Sequence, residues 1–69
     1  MTVNALLNRL YDELKEHQVR VDRCTSIRDY HYEYGMYSAG LKYDLMRVQS
    51  INEMDVIIKT IKEIEKRVS

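Results

Sequence analysis

The stretch RDYHYEYGMYSAGLKYDL, residues 28–45, decides how this chain folds. It holds five of the six tyrosines and both glycines. Read as continuous helix, the region carries two apolar stripes. Ile27, Tyr30, Tyr34, Tyr37, Leu41, Leu45 and Val48 form one at spacings of three and four; Tyr32, Met36, Ala39, Tyr43 and Met46 form the other. At about 100° per residue the stripes lie roughly 160° apart. A helix that is apolar front and back needs two neighbours. Tyrosine suits such a position because its ring packs while its hydroxyl reaches a partner or the rim. Gly35, Ala39 and Gly40 let another backbone come close. Glycine costs about 1 kcal/mol against alanine in a helix interior, so two so near each other need a reason. Close helix packing at Gly35 and Gly40 is one; a break in the chain at Gly35 is the other.

The flanking segments are simpler. Val3, Leu7, Leu10, Leu14, His17, Val21 and Cys24 alternate spacings of four and three, an a/d seam widened by Leu6. Asn8, Arg9, Asp12, Glu16 and Arg23 fall on the opposite, wet face. Near the C-terminus, Ile51, Met54, Ile57, Ile58, Ile61, Ile64 and Val68 make another stripe, with Lys59, Lys62, Glu63 and Lys66 facing water. Lys66 and Arg67 suit a helix C-terminus, where positive charge is favoured.

Cap signals place the helix starts. Ser50-Ile51-Asn52-Glu53 has the capping-box pattern, Ser26-Ile27-Arg28-Asp29 is a looser form, and Thr2-Val3 opens the chain similarly. These signals predict an all-α fold: one domain over residues 1–69, with helices at about 3–24, 27–49 and 51–68. A rival reading continues the first seam along unbroken helix into Met46, Ser50, Met54, Ile57 and Ile61. It gives a long helix, or a long-armed helical hairpin with coiled-coil-like seams, that pairs with a second copy.

Composition narrows the function classes. Sixty-nine residues make at most one domain, and a chain this short buries little surface. Such folds usually add disulfides, metal, oligomerisation or very regular helix packing. Cys24 is the sole cysteine, so no internal disulfide forms. Eleven basic side chains balance eleven acidic ones, which argues against a protein living on phosphates and against an acidic nucleic-acid mimic. Proline, tryptophan and phenylalanine are absent. There is no apolar run near the ~18 residues of a spanning helix and no charged-then-apolar leader. The expected location is therefore the cytoplasm.

Site chemistry is sparse. His17, Cys24 and His31 are metal-capable, but residues seven apart on one helix lie about 10 Å from each other. One ion cannot bridge that gap with bonds near 2 Å. No glycine-rich phosphate loop or acid–base pair of carboxylates stands out, and no cofactor, metal or catalytic residue is expected. Arg20, Arg23 and Arg28 beside Tyr30 and Tyr32 offer a nucleic-acid patch of charge and stacking, yet Asp22 and Asp29 interrupt it. Membrane attachment would need a lysine- and arginine-rich polar face, and the final helix instead carries Glu53, Asp55, Glu63 and Glu65.

The run YEYGMYSAGLKYDL resembles a pattern in short helical proteins of phages and other mobile elements of Gram-positive bacteria. There a tyrosine-glycine step precedes small residues, then Gly-Leu-Lys and a further apolar helix. The resemblance covers about residues 30–48 and transfers no site residue. It implies a class: small proteins that bind and redirect a host protein, or assemble with phage components. The expectation is a non-enzymatic protein–protein interaction module, working as a homo-oligomer, most simply a dimer. Its contact face would be Tyr32, Met36, Ala39, Tyr43 and Met46, because aromatic and methionine side chains are enriched in interface cores. An inhibitor or adaptor that sequesters a host or defence protein is the first form. A small nucleic-acid-associated regulator and a structural helical assembly subunit are the alternatives.

Overall fold

The computed structural model describes residues 2–68. The chain is all-α: helix α1 spans Val3–Glu33 and helix α2 spans Tyr37–Val68, joined by a turn of three residues. The two run antiparallel along an axis 51 Å long, with both cross dimensions 15 Å. A helix of this length at about 1.5 Å per residue accounts for nearly all of that extent. The radius of gyration is 15.7 Å, against about 11 Å for a compact domain of the same length.

Two features expected of the sequence are present. Thr2 is the N-cap of α1: its Oγ1 accepts from the Ala5 backbone N–H at 3.1 Å. From Leu7 onward the first seam is the inner face of α1, with Leu7, Leu10, Leu14, His17 and Val21 half-buried and Cys24 buried, whereas Val3 and Leu6, expected on the same face, are exposed.

The three-helix unit is not what forms. The chain passes through Ser26 and Ser50 without a break and reverses at Gly35. Gly35 has φ +74°, the left-handed region that residues with a Cβ avoid. Its N–H donates to the Tyr32 carbonyl at 3.2 Å, and the Met36 N–H donates to the His31 carbonyl at 2.8 Å. This pair of bonds is a Schellman motif, which satisfies carbonyls at the end of α1 that the helix itself leaves unpaired.

The hydroxyls near the expected breaks are used differently. Thr25 and Ser26 donate back to the carbonyls of Val21 and Asp22, at 2.8 and 3.2 Å, as such residues do inside helices. Ser50 is 2% exposed and belongs to the inner face of α2. A small polar residue facing another helix and a serine at an N-cap look alike in sequence, and here the first applies.

The interface between the helices is a heptad seam from end to end. From α1 come Leu7, Leu10, Leu14, His17, Val21, Cys24, Arg28 and His31; from α2 come Gly40, Tyr43, Arg47, Ser50, Met54, Ile57, Ile61 and Ile64. Each alternates steps of three and four, which keeps one face of a helix against its neighbour. Near the chain ends the seam is aliphatic. At its middle the side chains are small. Towards the turn it becomes polar and aromatic. A helical hairpin, as in the rival reading, is thus the architecture, but the helix which that reading carried unbroken into Met46 ends at Glu33, Met46 lies outside the seam, and the two arms are of nearly equal length.

Candidate interaction surface

Chemistry concentrates at the turn end of the hairpin. On the inside, Arg28 of α1 reaches across to α2, and its Nη1 donates to Asp44 Oδ1 at 2.8 Å. Arg47 Nε donates to the same oxygen at 3.1 Å. Arg28 also holds Asp29 of its own helix, Nη2 to Oδ1 at 2.9 Å. The hydrogen bond from Arg28, followed by that from Arg47, lowers the Asp44 carboxyl below its ordinary range. The same bond to Asp44 raises the Arg28 guanidinium. All three seam partners are only partly shielded from water. The cluster therefore serves chiefly to fix which residues face one another.

Beside it the His31 and Tyr43 rings stack at 5.5 Å with planes 10° apart. His31 Nδ1 lies 2.8 Å from the Ile27 carbonyl oxygen, so that nitrogen carries a proton and donates it. Further along, His17 Nε2 sits 3.2 Å from Glu53 Oε2. His17 Nδ1 is buried without a hydrogen-bond partner among the described residues.

On the outside the picture is apolar. Tyr30, Tyr34 and Tyr37 stand around the turn, all more than half exposed, and the rings of Tyr30 and Tyr34 pack at 4.8 Å. From Tyr37 a ridge runs along α2 through Leu41, Leu45 and Val48, with Leu45 62% exposed. The turn at Gly35 splits the first tyrosine stripe of the sequence: Tyr30, Tyr34 and half-buried Ile27 stay at the end of α1, and Tyr37, Leu41, Leu45 and Val48 lie on α2 as the ridge. Nothing in the hairpin covers it.

The residues expected at the contact face are divided by the fold. Ala39 and Tyr43 are half-buried on the side facing α1. Tyr32 turns toward α2, where its ring lies over Gly40. Met36 belongs to the turn and Met46 to the flank of α2, both exposed. Of the two glycines, Gly40 has the close-packing role and is buried; Gly35 has open space around its α-carbon and makes the turn instead. The expected arginine patch is also split. Arg20 and Arg23 are exposed on α1, while Arg28 is tied to two carboxylates.

His17, Cys24 and His31 all fall on the inner face of α1, spaced along its length. Among the described residues no three histidine, cysteine or acidic side chains converge as a metal site would require. No described helix is long and apolar enough to cross a membrane.

The Tyr37-to-Val48 ridge escaped the sequence reading as a free surface. Its periodicity was visible, but a helix wheel does not say which of two stripes the fold will cover. No protein-family model matches the chain, and no curated protein or solved structure matches it either.

Proposed function

We propose that this chain is a non-catalytic protein–protein interaction module, working as a homo-oligomer, with the turn end as its contact surface. One observation carries the reading: Tyr37, Leu41, Leu45 and Val48 form an exposed apolar ridge on α2 that starts at the turn, and Tyr30 and Tyr34 are exposed at the same turn. Contiguous exposed apolar surface marks interaction sites, and tyrosine is a frequent energetic anchor in them. The polar seam beneath supports the surface by holding α1 and α2 in register. Together with the resemblance to small phage-type proteins, this favours an inhibitor or adaptor that sequesters a host or defence protein in the cytoplasm. The nucleic-acid alternative gains nothing from Arg28, whose guanidinium is engaged by Asp44 and Asp29.

The test is affinity capture from the native host with the wild-type chain and with Tyr34→Ala/Tyr37→Ala, followed by binding between purified components. The reading expects a discrete protein held by the wild type and lost by the variant, with helicity unchanged. Identical capture by both chains, or none by either, overturns it.

A further inference from the structure

The hairpin exposes more surface than a chain of its size does when it is complete. Its accessible area is 5333 Å². A compact monomer of 8.3 kDa would expose about 4,600 Å². The excess, about 700 Å², is close to the ~800 Å² that each partner contributes to a standard interface. The interior is correspondingly thin. Among the described residues, Cys24 and Ile61 are the buried apolar side chains, and no large side chain is fully buried. A fold of this length with no disulfide needs further burial from somewhere.

Resting on the interaction reading above, we infer that a second copy of this chain covers the α2 ridge, antiparallel, about a twofold axis near Leu45. The pattern of the ridge is self-complementary about that point. Leu45 meets Leu45, Leu41 meets Val48, and Tyr37 lies beside Asn52. A twofold contact uses the same patch on both copies, so a patch symmetric about its centre is what it requires.

Charge selects the direction. Past Asn52 the line of the ridge continues as Asp55, Lys59 and Lys62, all exposed. Parallel pairing would set each against its own copy, and like charges so placed repel. Antiparallel pairing about Leu45 carries this segment beyond the partner's turn. The two rods overlap by the half of α2 that is apolar, and their chain ends point in opposite directions.

The experiment combines light scattering with thiol cross-linking on the full chain. The wild type should scatter as two chains, and Leu45→Glu as one, with unchanged helical circular dichroism because Leu45 is not part of the seam. Under mild oxidation Leu45→Cys should link into dimers and Lys59→Cys should not; buried Cys24 is common to both. A mixture of Leu41→Cys and Val48→Cys chains should link as heterodimers. A single-chain mass for the wild type, a two-chain mass for Leu45→Glu, or equal linking at Lys59→Cys would each overturn the pairing. A single-chain protein that still loses its captured partner on Tyr34→Ala/Tyr37→Ala would remove self-pairing, and with it the homo-oligomer, and leave the contact with a foreign partner standing.

Discussion

The ring of Tyr32, in the last turn of α1, lies over the α-carbon of Gly40 in the first turns of α2. A Cβ built on Gly40 would strike the edge of that ring. The contact explains why a helix interior tolerates glycine there. It also locks the two helices of the hairpin next to the turn.

Gly40→Ala should therefore destabilise the hairpin, although alanine is intrinsically the better helix residue by about 1 kcal/mol. The displaced ring costs on the order of 1–3 kcal/mol, as overpacking usually does. In a Tyr32→Ala background the obstacle is gone, and the same substitution should become neutral or stabilising. Thermal melts of the four chains give the coupling directly. Additive effects would show that the ring and the glycine are not in contact.

Gly35 answers to a different constraint. Nothing lies near its α-carbon, yet φ is +74°. Gly35→Ala should cost about 1–2 kcal/mol from backbone strain alone, and Gly35→Asn less, since asparagine tolerates the left-handed region better than other residues. Denaturant titration should rank the chains glycine, asparagine, alanine. Equal stability of all three would mean that the chain does not reverse at this residue.

Asp44 makes the seam sensitive to acid. Its carboxyl is lowered by Arg28 and Arg47, so the unfolded chain takes up the proton at a higher pH than the folded one. The contribution is complete above the ordinary carboxylate value of about 3.9 and is lost as pH falls through the lower folded value. Asp44→Asn should lower the melting temperature at neutral pH, and the gap to the wild type should close below that window. A gap that stays constant down to strong acid would contradict the role given to Asp44.

His17 is a weak point of the seam. Its Nδ1 is buried and unpartnered among the described residues, while Nε2 meets the half-exposed Glu53. An unsatisfied buried polar group costs about 1–3 kcal/mol. His17→Leu extends the aliphatic run of Leu7, Leu10 and Leu14 and should raise stability by about 1 kcal/mol, after loss of the bond to Glu53. A lower melting temperature for His17→Leu would show that the histidine is held by more than that bond.

Much of the fold could be read residue by residue. The spacing from Leu7 to Cys24 identifies the inner face of α1 without any neighbour being known, because a period near 3.6 admits one apolar side. Thr2 could be recognised as a cap since the next residues begin that pattern. The aliphatic stripe expected from Ile51 to Val68 is equally clear between Met54 and Ile64, while Ile51 and Val68 at its ends are exposed. The contact surface was less legible. Two stripes on one segment are equivalent in a helix wheel, and choosing between them needs to know where the partner helix lies.

The sequence by itself determined that the chain is all-α, that α1 has one inner face, and that tyrosines gather near the middle of the chain. These follow from local propensity and periodicity, which act over a few residues. Only the tertiary structure decided that the chain reverses at Gly35 and passes straight through Ser26 and Ser50. A capping serine and a small seam serine are the same residue until the opposing helix is in place, and Ser50 acquires its meaning from α1. The same long-range choice half-buried Ala39 and Tyr43, put Tyr32 over Gly40, and left Leu41, Leu45 and Val48 facing outward. The energy that settles it comes from packing two whole helices together, and no short stretch of sequence contains it.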